Sequence, residues 1–311
     1  MYNTGTQLLI VNGLNFHLTK QTFRYPIALT VQFLSRFNLS ARVLRLKYDA
    51  ILELKCGDKV VFFKRTLYKI NSKNEVKKFT LKHKILGACT DGVNVYFGDY
   101  FGNPNREEVS LRRLLDDNIE VLWTFLPGEV RHIHNVIPYK EFLLIMTGDY
   151  GHECGLFMYN SQSDFICVVA HGGQLSRFVT GIVKGDTLIT ATDTHITQNY
   201  TVTLDLAKGT TNLGIRLPGP VFDIVHDGER FYLTTVVEFS DYNSSDFVEL
   251  YSSTNGIKWE LEASWKKDLY PKRLHKYTQF NRVSLCSLNG EVYLSFLGIK
   301  NMSNKIYRLC R

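Results

Sequence analysis

Of the 311 residues only six are cysteine, and none stands in a C-x-x-C pair. Cys56, Cys89, Cys154, Cys167, Cys286 and Cys310 lie far apart, which excludes a zinc knuckle and a dense disulfide scaffold and predicts buried free thiols. The chain also lacks any apolar run near the ~18 residues that a membrane-spanning helix needs. Its opening, Met-Tyr-Asn-Thr-Gly-Thr-Gln, carries no basic stretch leading into an apolar one. A cytoplasmic address without signal peptide or transmembrane segment is therefore expected. Low-complexity tracts are missing too, and no DNA- or RNA-binding motif accompanies the net charge of +7. The charge favours an acidic partner, with glycan or anionic lipid ahead of nucleic acid because the basic residues are dispersed.

What the chain does have is aromatic, strand-forming residues in quantity: 20 Phe and 17 Tyr within a 44% hydrophobic composition. From residue 42 onward one pattern recurs: apolar strand, turn, apolar strand, polar excursion, alternating strand, turn, final strand. The first pass holds Val43–Leu46, Ala50–Lys55, Lys59–Phe63, Leu67–Ile70 and Val76–Leu81; later passes run over 84–127, 130–170, 175–217 and 219–265. A shorter one, 276–311, is one strand short. Four acids close the second strand of their passes: Asp99, Asp149, Asp193 and Glu238, at spacings of 50, 44 and 45 residues. Repeats of about 40–50 residues in an all-β chain mark a β-propeller of four-stranded blades. The expectation is a single domain over 1–311 with six blades, or seven. An N-terminal strand within 7–19 would complete the last blade and remove exposed sheet edges. Residues 28–46 break the pattern with apolar groups at helical spacing and Arg36, Arg42 and Arg45 among them. They predict a short inter-blade helix, with peripheral contact to anionic membrane as the sharper alternative.

Tyr251–Trp259 resembles the Asp-box of sialidase-type (BNR-repeat) propellers, whose pattern is S-x-D-x-G-x-T-W. Ser252, Gly256 and Trp259 match, while Thr254 and Lys258 stand where the pattern has Asp and Thr. Weaker echoes sit at Leu114–Asn118 and Tyr159–Ser163. The runs Tyr96–Val109 and Pro127–His134, with Thr147-Gly-Asp149 and Glu153, resemble a group of bacterial sialidase-superfamily proteins found near surface-polysaccharide genes. The resemblance implies the propeller and a link to glycans. Phe23-Arg24-Tyr25-Pro26 is similar to the F/Y-R-I-P motif of sialidases, without clear partner arginines.

In a propeller the second-to-third-strand loops and the inter-blade loops open on one face, so the acids converge with most of the unusual polar residues. The candidate catalytic groups are Asp99, His132, His134, Asp149, Glu153, Asp193 and Glu238. Paired carboxylates can serve as acid and base in glycoside cleavage, and a histidine can move the proton. His132 and His134, at i and i+2 of a strand, face one side, so with Asp149 they can hold a divalent metal ion; hydrogen bonding to neighbouring loops is the alternative. Arg106 and Arg131 suit an anionic substrate or a structural ion pair. Tyr100 and Tyr150 can stack on sugar rings, and Asn103, His152, Asn199 and Gln279 complete the candidate substrate-binding set. The expected function is a glycoside hydrolase or polysaccharide lyase acting on an acidic surface polysaccharide or its precursor. A non-catalytic glycan- or protein-binding propeller is the alternative. On sequence alone, Asp149→Asn should remove turnover and leave the melting temperature nearly unchanged.

Overall fold

The computed structural model describes residues 50–270, 281–288, 290–302 and 306–309. The expected closing strand within 7–19, the 28–46 helix, the Phe23–Pro26 motif, Cys310 and Gln279 lie outside the described residues.

The first sheet comprises β1 (Ala50–Glu53), β2 (Lys59–Phe63), β3 (Thr66–Ile70) and β4 (Val76–Thr80). The second holds β5 (Ala88–Thr90), β6 (Val95–Gly98), β7 (Val109–Leu115) and β8 (Asn118–Phe125). The third holds β9 (Ile133–Tyr139), β10 (Phe142–Thr147), β11 (Gly155–Asn160) and β12 (Phe165–His171). The fourth holds β13 (Gly181–Lys184), β14 (Thr187–Ala191), β15 (Asn199–Asp205) and β16 (Thr210–Leu217). The fifth holds β17 (Val221–His226), β18 (Phe231–Val237), β19 (Phe247–Ser253) and β20 (Glu260–Lys266). Last come β21 (Asn281–Leu288), β22 (Glu291–Leu297) and β23 (Ile306–Arg308). Every pairing is antiparallel between strands consecutive in the chain, except that the end of β18 also pairs with β21 through Val236 with Arg282 and Val237 with Asn281. Helix is confined to two single turns, Gly151–Glu153 and Gln174–Ser176, among the described residues.

Hydrophobic patterning explains the stacking. A sheet with neighbours on both faces needs apolar residues on both, so its inner strands read as near-continuous apolar runs. In β18, Phe-Tyr-Leu-Thr-Thr-Val-Val, every residue is buried, and β6 and most of β10 follow suit. Fourth strands lie outermost and alternate with polar residues: four of the five residues of β4 are exposed. Five apolar clusters fill the spaces between successive sheets. Phe62, Leu67 and Phe97 join the first pair, Phe125, Ile145 and Tyr159 the second, and Phe178, Leu188 and Leu204 the third. Phe231 and Trp259 serve the fourth, Leu285 and Phe296 the fifth. At about 25 cal/mol per Å² of apolar area, these interfaces are the main favourable contribution to the fold. Of the thiols, Cys89, Cys154 and Cys286 are buried as expected, Cys167 is half-buried and Cys56 is exposed.

The first strands of successive sheets neighbour one another in chain order and wall a central cavity of about 840 Å³. Leu52, Cys89, Ile137, Ile182, Ile224 and Leu285, one from each first strand, all line it. Sheets set radially about such a cavity are the propeller arrangement that the repeat spacing predicts.

The Tyr251–Trp259 segment spans the turn between β19 and β20, third and fourth strands of the fifth sheet. Its acceptor, however, is Asn255, one residue beyond the aligned Thr254: Asn255 Oδ1 accepts from the backbone N–H groups of Ile257 (2.9 Å) and Lys258 (3.0 Å). Ser253 Oγ accepts from the Gly256 N–H at 2.9 Å, and Trp259 Nε1 donates to the Gly256 carbonyl at 3.1 Å. Asn71, Asn160 and Asp205 form the equivalent side-chain turns in the first, third and fourth sheets.

Candidate functional site

Backbone register places the site. Asp99, Asp149, Asp193 and Glu238 each follow the second strand of their sheet by one or two residues. The segments that lead into first strands run beside these strand ends and bond to them: Ile133 N–H to Asp99 O (3.0 Å), Gly148 N–H to His132 O (3.3 Å) and Asp193 N–H to Arg177 O (3.0 Å). Side chains of the lead-in residues therefore meet the acids of the adjoining strand ends at one end of the axial cavity. Gly148 makes the approach in the third sheet. Its φ is +102°, and a Cβ there would lie 2.3 Å from Glu153 O and 2.4 Å from Cys154 Cα.

Asp149 is the hub. Arg131 Nη1 lies 3.0 Å from its Oδ2, and Arg177 Nη2 lies 3.2 Å from its Oδ1. Arg177 reaches Asp193 Oδ2 at 3.1 Å with the same nitrogen, tying two of the repeated acids together. His132 Nε2 is 3.4 Å from Oδ2, His134 Nε2 is 3.3 Å from Oδ1, and the two Nε2 atoms are 3.1 Å apart. Each ring is fixed from behind: His132 Nδ1 donates to Phe101 O and His134 Nδ1 to Phe178 O, both at 3.0 Å. Burial works to raise the Asp149 pKa, yet hydrogen bonding to His132 and His134 and their charge hold the carboxyl well below the usual carboxylate range. Burial pushes His132 down, with Asp149 opposing. Burial, reinforced by Asp149 and Asp193, pushes the Tyr100 hydroxyl up to about 12. For Arg177 burial lowers the pKa, but the Asp193 and Asp149 charges outweigh it and keep the guanidinium charged.

Around this hub the cavity wall carries Tyr100, Phe101, Tyr150, Asp193, His195 and Glu238. The Tyr100 ring lies 4.3 Å from that of His132, and Arg131 sits over the half-exposed Tyr150 ring at 5.5 Å. The site thus gathers His132, His134, Asp149, Asp193, Glu238, Tyr100, Tyr150 and Arg131 from the sequence-derived set.

The others are placed elsewhere. Asp99 is outside the cavity lining, gripped by Arg112 in a two-bond fork at 3.1 and 3.0 Å. Glu153, buried, pairs with Arg106 Nε, while Arg106 Nη1 donates to Asn103 O and Pro104 O; this is the structural ion pair rather than a substrate anchor. His152, on the surface, bonds through Nε2 to Gly128 O. Asn103 braces its own loop and Arg131 through Nδ2 bonds to Glu107 O (3.0 Å) and Arg131 O (2.8 Å). Asn199 is fully buried and its amide is consumed by Thr192, Thr194 and Asn243. Asn103 Oδ1 also accepts from the Glu107 N–H, so the amides of Asn103 and Asn199 are both committed to holding loops.

Sequence reasoning missed Arg177, His195 and Arg282. Arg177 had a readable signal: it stands in a lead-in segment as Arg131 does, one repeat later. Arg282 is a buried guanidinium whose only legible mark is its place in a first strand, and burial lowers its pKa against the raising effect of Asp223.

No protein-family model and no curated protein matches this sequence. Among solved structures, the chain is similar to a prolyl endopeptidase, with a TM-score of 0.51 and 10% identity over 83% of this chain and 41% of that one. A TolB protein from Agrobacterium tumefaciens matches at 0.49 and 12% identity, over 74% of this chain and 87% of that one. A chain of the mitotic checkpoint complex matches at 0.45 and 10% identity, over 84% and 86%. At such identities the likeness speaks to the fold alone, and the fold is the β-propeller.

Proposed function

We propose that the protein is a glycan-active enzyme, a hydrolase or lyase, whose ligand lies across the mouth of the axial cavity. The observation that carries this reading is the convergence there of two buried imidazoles, a carboxylate hub and the Tyr100 and Tyr150 rings. The cavity volume of about 840 Å³ is in the range of small-ligand sites. Aromatic faces beside polar groups suit sugar rings, which present C–H faces and hydroxyl edges. With both Nδ1 atoms donating to carbonyls, the Nε2 atoms are the ones turned to the site, where a neutral ring can act as a general base. The Asp-box turn adds the resemblance to sialidase-type propellers.

A binding propeller without catalysis is the second reading, favoured by one observation. Asp149 is engaged by two arginines and two histidines, so its carboxylate orients neighbours and is not a free base. The test is incubation with a panel of acidic and neutral oligosaccharides, following new reducing ends for hydrolysis and ultraviolet-absorbing unsaturated products for elimination. Turnover is expected, with a loss of roughly 10²-fold or more in His134→Ala. Affinity without product would establish the binding reading, and neither product nor affinity across the panel would refute both.

A further inference from the structure

We propose that His132 Nε2, His134 Nε2 and the carboxylate of Asp149 bind a divalent transition-metal ion. A backbone carbonyl only accepts, so the 3.0 Å contacts to Phe101 O and Phe178 O place a hydrogen on both Nδ1 atoms. In its neutral form each ring then carries its lone pair on Nε2, the atom a metal ion takes. The two Nε2 atoms stand 3.1 Å apart, and His132 Nε2 faces Asp149 Oδ2 at 3.4 Å while His134 Nε2 faces Oδ1 at 3.3 Å. Three ligand groups within 4.8 Å of one another can close on one cation.

The spacing fits an ion. Ligands about 2.0–2.2 Å from a four-coordinate metal lie roughly 3.3–3.5 Å from one another, close to the separations above. The surroundings fit as well. Nδ1–H bonding to a backbone carbonyl is how metal-bound histidines are commonly held, and Arg131 and Arg177 orient the carboxylate. Both rings are nearly inaccessible, 3% and 2% exposed, so little ordering remains to be done on binding. Two imidazoles with one carboxylate leave coordination positions toward the cavity, as in catalytic rather than structural centres.

The ion also gives the cavity a preference. Its charged lining is balanced, Lys84, Arg131, Arg177 and Arg282 against Asp149, Asp193, Asp223 and Glu238. A bound dication makes the total positive, which selects a ligand bearing a carboxylate or similar anion. That choice of ligand class rests on the glycan reading; the metal site does not.

The experiment is calorimetric titration of the chelator-treated full chain with Zn²⁺, without sugar, repeated with Co²⁺ to read the visible absorption of nitrogen-ligated cobalt. One ion per chain is expected, weakened at least about tenfold in His132→Ala and in His134→Ala, each checked for native circular dichroism. His171→Ala, an exposed imidazole at the end of β12 and outside the cavity lining, should bind as the parent does. Zn²⁺ should raise the melting temperature of the parent and leave that of His134→Ala unmoved. Absence of stoichiometric binding would overturn the proposal and leave a shared proton as the occupant of the space between the rings. Parent-like binding by His132→Ala and His134→Ala, or its loss in His171→Ala, would overturn the assignment of ligands. Because no glycan is present, none of these outcomes bears on the glycan reading.

Discussion

Replacing Asp149 by Asn should lower the stability of the fold by about 2–4 kcal/mol, a fall in melting temperature of roughly 5–10 °C. Asparagine keeps the shape and one acceptor but removes the charge that Arg131 and Arg177 share at 3.0 and 3.2 Å. Arg177 retains Asp193 at 3.1 Å, and Arg131 retains Gly102 O at 3.1 Å and the Tyr150 ring. These remaining partners, and the partial exposure of Arg131, keep the loss below that of a fully buried pair. The expectation from sequence was loss of function at nearly constant stability, and the geometry changes it: the same carboxylate serves the site and the fold. Thermal melts of the variant decide the point. An unchanged midpoint would mean that the arginines do not depend on Asp149.

A still larger effect is expected from Gly148→Ala. The residue combines φ +102° with a Cβ position 2.3 Å from the Glu153 carbonyl oxygen and 2.4 Å from Cys154 Cα. Backbone atoms cannot swing aside as a flexible side chain can, so either the 148–154 loop moves or the sheet opens. A cost above about 3 kcal/mol follows from conformational strain and overpacking together. Asp149 is the next residue, so metal or ligand binding should fall in parallel. A midpoint within about 2 °C of the parent would show that the loop adjusts freely, contrary to its packing.

Much of the architecture was legible because strand patterning is local. The first pass predicted Lys59–Phe63 and Val76–Leu81, and the strands are Lys59–Phe63 and Val76–Thr80. The recurrence of an acid after each second strand was legible for the same reason: it needs only strand ends and spacing. What sequence could not supply was partnership. Asp99 and Asp149 occupy equivalent positions, yet Asp99 turns to Arg112 on the next strand of its own sheet while Asp149 turns to Arg131 and Arg177. Residue 112 of β7 happens to be an arginine within reach, and nothing in the repeat marks it. Arg106 and Glu153 find each other across 47 positions in the chain, a pairing set by how sheets stack. Asn255 took the role assigned to Thr254 because the turn's hydrogen-bond geometry tolerates a shift of one residue that a motif pattern does not.

On the proposed reading, a sugar binds at the mouth of the axial cavity, beside Asp149. Calorimetric titration of a uronic-acid oligosaccharide into the full chain and into Tyr150→Ala, checked for native circular dichroism, tests this; the Tyr150 ring is 42% exposed at the cavity wall. Saturable binding to the parent, weakened about 3- to 10-fold by loss of the ring, is the predicted result. Binding that the substitution leaves untouched would put the ligand elsewhere on the propeller and contradict the account.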